Sequence, residues 1–182
     1  MWSMKELFDE NFKKKFVAKF GKNLWRLTRI IVILMCMSHF FHFAIVPSES
    51  MYPTMHVKDY LMVYTQIDEY ERGDIIAFKF PENEEETYLK RVIGLPGDTV
   101  EVKDGLVYVN DNSLQEDYLN EKPTYTYSKT VVPEGNYFVL GDNRNNSYDS
   151  HNWGFVKKEK IRGKAVVRLL PFSRFHVINE QD

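Results

Sequence analysis

The chain has 182 residues, of which 43% are hydrophobic and 15% aromatic. This content excludes a disordered tail or a collagen-like fibre, because it is sufficient to build a packed core. The 24 Lys and Arg residues nearly balance the 26 Asp and Glu residues, so the net charge of -2 does not favour a nucleic-acid partner. The single cysteine, Cys36, excludes an intramolecular disulfide framework and a cysteine-based zinc site.

The charges are distributed unevenly along the chain. Residues 1–29 hold eight Lys or Arg and three Asp or Glu, whereas residues 30–46 contain none of these four residue types. The apolar run predicts a transmembrane helix over residues 30–46, with Arg26 and Arg29 reaching back to the interface. A buried helix of a soluble protein and a cleaved secretory signal are the alternatives. Against them stand the missing amphipathic period, the long basic arm and the lack of a small-residue cleavage site.

The positive-inside rule predicts the orientation of this span. Residues 1–29 form a cytoplasmic basic arm, residues 30–46 cross the membrane once, and residues 47–182 form an extracytoplasmic domain at the cell membrane. Apolar side chains recur every four residues in the arm, at Phe8, Phe12, Phe16, Phe20 and Leu24. This pattern fits a helix lying on an anionic leaflet, and a partly ordered tail is equally compatible with it. We interpret His39 and His42 as packing residues, since no further ligand lies near them in sequence.

Short β-branched and aromatic runs follow from residue 47 onward and predict one mostly β, antiparallel domain. Candidate strands cover residues 60–64, 74–80, 88–93, 137–140 and 164–170. The pair Asp104-Gly105 predicts a tight hairpin within residues 99–110. Pro96 and Gly97 suit the central positions of a type II turn. Residues 110–131 lack clear periodicity, and we interpret them as a long excursion of the same domain.

Three polar clusters stand out from this strand pattern. Residues 47–55 form a rigid turn rich in Pro and Ser, and residues 141–154 are dense in side chains that bond locally to the backbone. Between them, alternation points Lys90 and Arg91 to opposite faces of a strand, so that one of the two faces inward. A lysine in apolar surroundings has a lowered pKa and becomes a proton-accepting amine. Each cluster also has an ordinary explanation: a juxtamembrane linker, a surface turn and a solvent-facing lysine.

Taken in order, these clusters resemble the sequence blocks of the bacterial type I signal peptidases (leader peptidases), which are membrane-anchored serine proteases with a Ser-Lys dyad. Residues 48–54 resemble the nucleophile block, residues 72–74 the next block, residues 90–98 the lysine block and residues 141–155 the final block. The single predicted span is similar to that of Gram-positive members. The resemblance implies a β catalytic domain that uses no cofactor and no metal.

The resemblance also implies residue roles. It makes Ser50 the nucleophile and Lys90 the general base, with Ser48 as a donor to the oxyanion and Ser147 as the group that orients the lysine amine. It assigns structural support to Asp142, Arg144 and Asp149. His151 departs from the family pattern, because a basic residue, commonly arginine, is expected there. A salt bridge from this position to Asp149 is therefore expected to be pH-dependent or missing.

The implied partners are precursor proteins that bear signal peptides, together with membrane lipid. A peptide is expected to bind in extended form along a sheet edge, and the family prefers small residues, often Ala, at the first and third positions before the cut.

Three other readings stay open at this point. One is a Ser-His-Asp triad drawn from Ser50, Asp149 and one of His56, His151 or His176, although the sequence has no Gly-x-Ser-x-Gly elbow. Another is a soluble Ser-Lys autoprotease, which the hydrophobic run argues against. The third is a membrane-tethered binding domain without catalysis, which would leave Ser50, Lys90 and Ser147 as coincidence.

Overall fold

The structure is a computed structural model that describes residues 10–179, with side chains described from residue 16. The predicted stripe of the basic arm therefore falls partly outside this range, which excludes Phe8 and the side chain of Phe12. The chain divides at Phe40 into a helical unit and a β unit.

The helical unit contains helix α1, Glu10–Phe40. Within it Phe16 and Phe20 stack with ring centroids 6.1 Å apart, and Arg29 lies over the Trp25 ring. The contact between Phe16 and Phe20 brings two residues of the predicted stripe together on one side of the helix. Among the residues that the structure describes, no helix has both the length and the apolar character needed to cross a membrane.

The helical part of the predicted span ends earlier than the apolar run. Residues 41–45 are not helical but form strand β1, Phe41–Ile45, which pairs antiparallel with the next strand along its whole length. The reason is that β-branched and aromatic residues serve a strand as well as a helix when a partner strand is present. Periodicity within a short apolar run does not distinguish the two.

The β unit is built from two antiparallel sheets, which confirms the prediction of a mostly β domain. The remaining strands are β2 Tyr60–Tyr64, β3 Ile75–Phe80, β4 Asn83–Gly94, β5 Thr99–Lys103, β6 Leu106–Val109, β7 Asn112–Ser113, β8 Tyr127–Val131, β9 Asn136–Leu140, β10 Val156–Lys157, β11 Ile161–Leu170 and β12 His176–Val177. A short helix, α2, covers Ser150–Trp153. In the described part of the chain the larger sheet has the order β1-β2-β11-β3-β4-β9-β10, with β12 paired to β11, and the smaller has the order β7-β6-β5-β8.

Local turn chemistry sets several of these connections. Asp104 and Gly105 both have positive φ angles, 51° and 72°, as the hairpin between β5 and β6 requires. Gly97 has a φ of 84°, which fits the predicted type II turn after β4. The excursion predicted for residues 110–131 contributes β7 and β8 to the smaller sheet. It is therefore part of the same domain.

Both faces of the larger sheet are covered in its centre. Ile75 packs in one core cluster with Met51 and Met55, whereas its neighbour Ile76 packs in another with Phe78. Successive side chains of a strand point to opposite faces, so a residue in this region is buried whichever way it points. This arrangement decides the environment of the polar residues on the adjacent strand β4.

Candidate active site

The turn that carries Ser50 is anchored in the core. Residues 49–51 form one turn of 3-10 helix, and the backbone N-H of Tyr52 closes it on the Glu49 carbonyl at 3.0 Å. Met51, the last residue of the turn, and Met55, four residues further on, are 1% and 0% exposed. Burying two such side chains contributes about 1.5–3 kcal/mol each. Ser50 is thereby held on a short, fixed loop.

Lys90 on strand β4 meets this serine. Its Nζ lies 2.7 Å from Ser50 Oγ, and Ser48 Oγ donates to the same Oγ at 3.2 Å. Within the described residues these are the hydrogen-bond partners of Ser50 Oγ, so the alternative triad with a histidine base is not assembled. The sequence-predicted serine and lysine, 40 positions apart, are in direct contact.

The lysine is buried, and no carboxylate of the described residues forms an ion pair with it. Lys90 is 4% exposed, and its cross-strand neighbour on β3 is the buried Ile76. Burial lowers the pKa of Lys90 to about 8, while the more distant carboxylates of Asp149 and Asp142 oppose the change. The pKa of a base at this value leaves a substantial neutral fraction near physiological pH.

Arg91, the next residue, is also fully buried, on the opposite side of the strand. The sequence predicted that one of the two cations faces inward, and the structure buries both because the sheet is covered on both faces. Two guanidinium nitrogens of Arg91 donate to the Asp142 carboxylate at 2.8 and 2.7 Å, and a third donates to the Gly73 carbonyl. Burial opposes the charge, but the hydrogen bonds to Asp142 outweigh it and raise the pKa of Arg91.

The loop of residues 141–151, called the catalytic loop below, is bound to the Ser50 turn. The backbone N-H of Asn143 donates to the Ser50 carbonyl at 3.0 Å, and its side-chain amide donates to the Glu49 carbonyl at 3.2 Å. A Cβ on Gly141 would lie 2.4 Å from the Ser50 carbonyl oxygen and 2.2 Å from Ser147 Oγ. Only glycine permits this close approach.

Asp149 organises the end of the catalytic loop. One carboxylate oxygen accepts the Gly141 N-H at 2.9 Å, and the other accepts the N-H of His151 in the cap of helix α2. The ring Nδ1 of His151 lies 2.6 Å from the same carboxylate, and the ring stacks on Tyr125 with centroids 3.9 Å apart. The histidine therefore keeps the contact to Asp149 that the sequence left open.

Arg144 has partners that the sequence did not indicate. Its guanidinium is 1% exposed and donates to both oxygens of Glu116, at 2.9 and 2.7 Å, and to the Tyr118 hydroxyl at 3.3 Å. Burial opposes the charge, but the Glu116 hydrogen bonds raise the pKa of Arg144. Glu116 and Tyr118 lie in the aperiodic excursion, where no motif or spacing marks them. Asn143 lies inside the final sequence block, but the sequence predicted no role for it.

Ser147 lies beside the Ser50 turn, because both Ser147 Oγ and the Ser50 carbonyl oxygen crowd the position that a Cβ on Gly141 would take. Its Oγ is buried and has no hydrogen-bond partner among the described residues. A hydroxyl with free donor and acceptor capacity at this position is compatible with the predicted role toward the lysine amine. That role stays a prediction, as do the individual roles of the other site residues.

A cavity of about 500 Å³ opens at the dyad. Its lining includes Ser48, Ser50 and Lys90, together with Tyr148 and the stretch Glu86–Leu89 of strand β4. Strand β9 pairs with β4 only at residues 91–94, so in the described part of the chain no strand covers residues 86–90 on that side. The site therefore combines a serine, a buried amine and a free strand edge.

Comparison with known proteins yields one family. A family model described as signal peptidase, peptidase S26, matches residues 21–170. A probable signal peptidase I-2 from Synechocystis is 44% identical over 143 residues, which cover 74% of this chain and 66% of that protein. Signal peptidase I S from Bacillus subtilis is 34% identical over 182 residues, which cover 92% of this chain and 96% of that protein.

A crystal structure of a signal peptidase I from Enterococcus faecalis matches with a TM-score of 0.47 and 43% identity, covering 54% of this chain and 98% of that chain. The chain spans about two thirds of the length of the Synechocystis relative and nearly the whole length of the Bacillus one. It belongs to the signal peptidase family, peptidase S26, and is a serine peptidase of the signal peptidase I type.

Proposed function

We propose that the chain is a membrane-anchored serine endopeptidase that removes N-terminal signal peptides from exported precursor proteins, with Ser50 as nucleophile and Lys90 as general base. The observation that carries the proposal is the distance of 2.7 Å between Lys90 Nζ and Ser50 Oγ, in a setting that buries the lysine. A serine hydroxyl becomes an effective nucleophile when a base removes its proton during attack. A neutral lysine in contact with the hydroxyl supplies that base.

The reaction proceeds in two halves. Ser50 Oγ attacks the scissile carbonyl while its proton passes to Lys90 Nζ, and the C-N bond then breaks as the ammonium returns the proton to the leaving amine. The signal peptide stays attached as an ester on Ser50. Lys90 next takes a proton from a water molecule that attacks this ester. The bond between the acyl carbon and Ser50 Oγ then breaks, the ammonium returns the proton to Oγ, and the signal peptide leaves with a free carboxyl end.

The oxyanion of each tetrahedral intermediate needs donors. We assign this task to the Ser48 hydroxyl, which lies 3.2 Å from Ser50 Oγ, and to the backbone N-H of Ser50. Donors of this kind are each worth roughly 10²-fold to 10³-fold in rate in other acyl-transfer enzymes. Ser147 orients the lysine amine, and its buried, unpaired hydroxyl supports this assignment.

The remaining assigned residues hold the site without touching the reacting atoms. Asp142 pairs with Arg91, Arg144 donates to the Gly141 carbonyl at 3.0 Å, and Asp149 accepts the Gly141 N-H. All three residues are buried, with at most 1% of their surface exposed. Their ion pairs and hydrogen bonds keep the catalytic loop against the Ser50 turn.

The precursor binds as an added strand. Residues 86–90 of β4 offer an open edge beside the dyad, and an extended peptide paired there drops alternate side chains into the cavity of about 500 Å³. By family resemblance, the pockets on this edge take small residues at the first and third positions before the cut.

Membrane anchoring rests on two features of the chain. The first is the uncharged run of residues 30–46 after a basic arm, which supports a cytoplasmic position for residues 1–29 and an outer position for the catalytic domain, residues 47–182. Within this run, Phe41–Ile45 form strand β1 and belong with the sheet. The second is an apolar face formed by neighbouring strands of the larger sheet. The register aligns Phe43, Met62, Val167 and Val177 in one row and Ile45, Tyr60 and Leu170 in the next.

Several residues of these rows are exposed. Phe43 is 69% exposed, and Ile45 and Val177 are each more than half exposed, while Phe172 beyond the end of β11 is 84% exposed. An apolar patch of this kind on a sheet next to a catalytic turn suits contact with lipid. It would hold the Ser50 turn at the membrane surface, where the cleavage region of a precursor emerges.

The test is cleavage of an exported precursor by the purified full chain in detergent, with the cut mapped by mass spectrometry. We expect a single cut after the signal peptide and none with Ser50→Ala, which should remain folded and bound to membranes. Cleavage by Ser50→Ala at the wild-type rate would refute the nucleophile assignment. Binding of the precursor without cleavage by the wild type would favour a binding domain instead.

A further inference from the structure

Residues 116–125, called the clamp segment, contact the catalytic loop. In the sequence they lie outside the blocks that resemble the family. Thr124 donates through its backbone N-H and its hydroxyl to Asn145 Oδ1, both at 2.9 Å. The amide of Asn145 in turn donates to Glu121 Oε2 at 3.1 Å and to the Lys122 carbonyl at 3.0 Å. Asn145 is exposed and belongs to none of the core clusters, so these contacts serve the position of the loop more than the packing of the domain.

The first residues of the clamp segment, Glu116 and Tyr118, contact two buried arginines. The ring of Tyr118 lies 3.9 Å from the guanidinium carbon of Arg91, and its hydroxyl accepts from Arg144 at 3.3 Å. Glu116 neutralises Arg144, and Asp142 neutralises Arg91. Tyr118 therefore contacts both buried arginines of the site, one on strand β4 and one on the catalytic loop. Burial raises the pKa of its hydroxyl and keeps it protonated.

This network reaches the backbone of Ser50 in two steps. Arg144 donates to the Gly141 carbonyl at 3.0 Å, and Gly141 packs directly against the Ser50 carbonyl and Ser147 Oγ. On the other branch, Arg91 adjoins Lys90 on strand β4. Tyr118 and Glu116 are thus linked to the Ser50 turn through Arg144 and Gly141, and Tyr118 is linked to the strand of Lys90 through Arg91.

We propose that the clamp segment positions the dyad, and that Glu116 and Tyr118 are positioning residues for Ser50 and Lys90. This inference rests on the proposed function. Neither residue touches the reacting atoms, and both act through the two buried arginines. Misplacing reacting groups by about 1 Å is enough to cost on the order of 100-fold in rate.

Loosening of the clamp segment should change the pKa of Lys90 as well as the rate of cleavage. The titratable and charged groups that face Lys90 are Tyr88 on its own strand and Asp142 and Asp149 on the catalytic loop. A loosened loop admits water to Lys90 and moves the two carboxylates. Hydration favours the ammonium form, so the base becomes effective only at higher pH.

The experiment compares Tyr118→Leu and Asn145→Ala with wild type, using the full chain in detergent and a peptide substrate. Tyr118→Leu removes the ring over Arg91, whereas the matched control Tyr118→Phe keeps the ring and loses the hydroxyl, which donates to Glu116 Oε1 at 2.8 Å and accepts from Arg144 at 3.3 Å. We expect kcat to fall about tenfold for Tyr118→Leu with KM changed by less than about twofold, and the pH limb of kcat/KM to move upward by about half a unit. Tyr118→Phe should lie between Tyr118→Leu and the wild type, because the ring and the two hydrogen bonds from Arg144 to Glu116 remain.

Asn145→Ala provides the second arm, since this exposed residue is replaceable without loss of the core. We expect a smaller fall in kcat with a pH shift in the same direction. Glu101→Gln, in an exposed pair with Lys103 on the smaller sheet, is the unaffected reference. An unchanged pH limb in both Tyr118→Leu and Asn145→Ala, with activity per folded molecule at the wild-type level, would overturn the inference. Failure of the wild type to cleave would instead refute the proposed function.

Discussion

Two neighbouring residues on strand β4 show how this fold treats a buried cation in opposite ways. Lys90 has a serine hydroxyl and apolar neighbours around it, and burial lowers its pKa to about 8. Arg91 has the carboxylate of Asp142 in bidentate contact, and its charge is retained. The same degree of burial thus gives a proton acceptor at one position and a fixed cation at the next.

The difference lies in the partners and not in the strand. An ion pair with complete hydrogen bonding offsets the cost of removing a guanidinium from water, whereas an unpaired ammonium relieves that cost by releasing its proton. Arginine suits the first environment because its pKa is too high for release, and lysine suits the second. Under the proposed function, the lysine serves catalysis and the arginine next to it supports the site.

The most damaging change to this division is Lys90→Arg, which keeps a cation but removes the proton acceptor. We expect kcat/KM to fall by at least about 10³-fold, because a guanidinium stays protonated throughout the working range. Lys90→Ala should lose activity to a similar extent. The measurement is cleavage of a precursor by each folded variant. Cleavage by Lys90→Arg near the wild-type rate would remove Lys90 from the mechanism.

The converse change is Asp142→Asn, which leaves Arg91 buried with a neutral partner. Breaking one side of a buried ion pair costs about 3–5 kcal/mol, because the remaining charge is uncompensated. We expect a large loss in the free energy of unfolding, measured by urea titration with tryptophan fluorescence. The exposed pair of Lys129 and Asp111 supplies the control, since Asp111→Asn should leave the unfolding midpoint unchanged. A midpoint for Asp142→Asn equal to that of the wild type would contradict this role.

How far the sequence predicts this site depends on whether local pattern decides the structure. Strand β2, Tyr60–Tyr64, and the hairpin around Asp104 follow from alternation and turn chemistry, which are local. Lys90 and Ser50 were placed together by resemblance to the family blocks. Strand β1 was not predicted, because an apolar run becomes a strand only when a partner such as β2 is available.

The contacts of the clamp segment also could not be predicted from local sequence pattern. Glu116 and Tyr118 lie in a polar stretch without periodicity, and their positions are set by Arg144 and Arg91, which are far away in the sequence. No single-sequence pattern encodes such a pairing. The burial of Arg91 was missed for a related reason, since it depends on both faces of the sheet being covered by other elements.

A third change, Lys90→Met, removes the free-energy cost of holding the Lys90 amine in an apolar site. Below about pH 8 the folded protein must hold a charged lysine in an apolar site, and the lowering of its pKa from 10.5 corresponds to about 3 kcal/mol. Lys90→Met should therefore be inactive but more stable by a value of this order at neutral pH. The folded protein releases the proton near pH 8 and the unfolded chain only near 10.5, so the advantage should shrink as pH rises between the two values. Urea unfolding at pH 7 and pH 10 measures both. A variant no more stable than wild type at pH 7 would mean that burial of Lys90 carries no such cost.

The last prediction concerns the activity of the unmodified enzyme as a function of pH. Only the neutral form of Lys90 accepts the Ser50 proton, and its pKa of about 8 sets the neutral fraction in the free enzyme. We expect kcat/KM to rise about tenfold per pH unit below this value and to level off above it. Measured between pH 6 and 10 on a peptide without groups that titrate in this range, the limb reports the lysine directly. A limb near the ordinary histidine value of about 6.5 would point to a histidine base, and a limb near the free lysine value of about 10.4 would mean that the amine is hydrated in solution. Either result would end the contrast between Lys90 and Arg91, because the two cations would then differ in structure but not in their state of protonation.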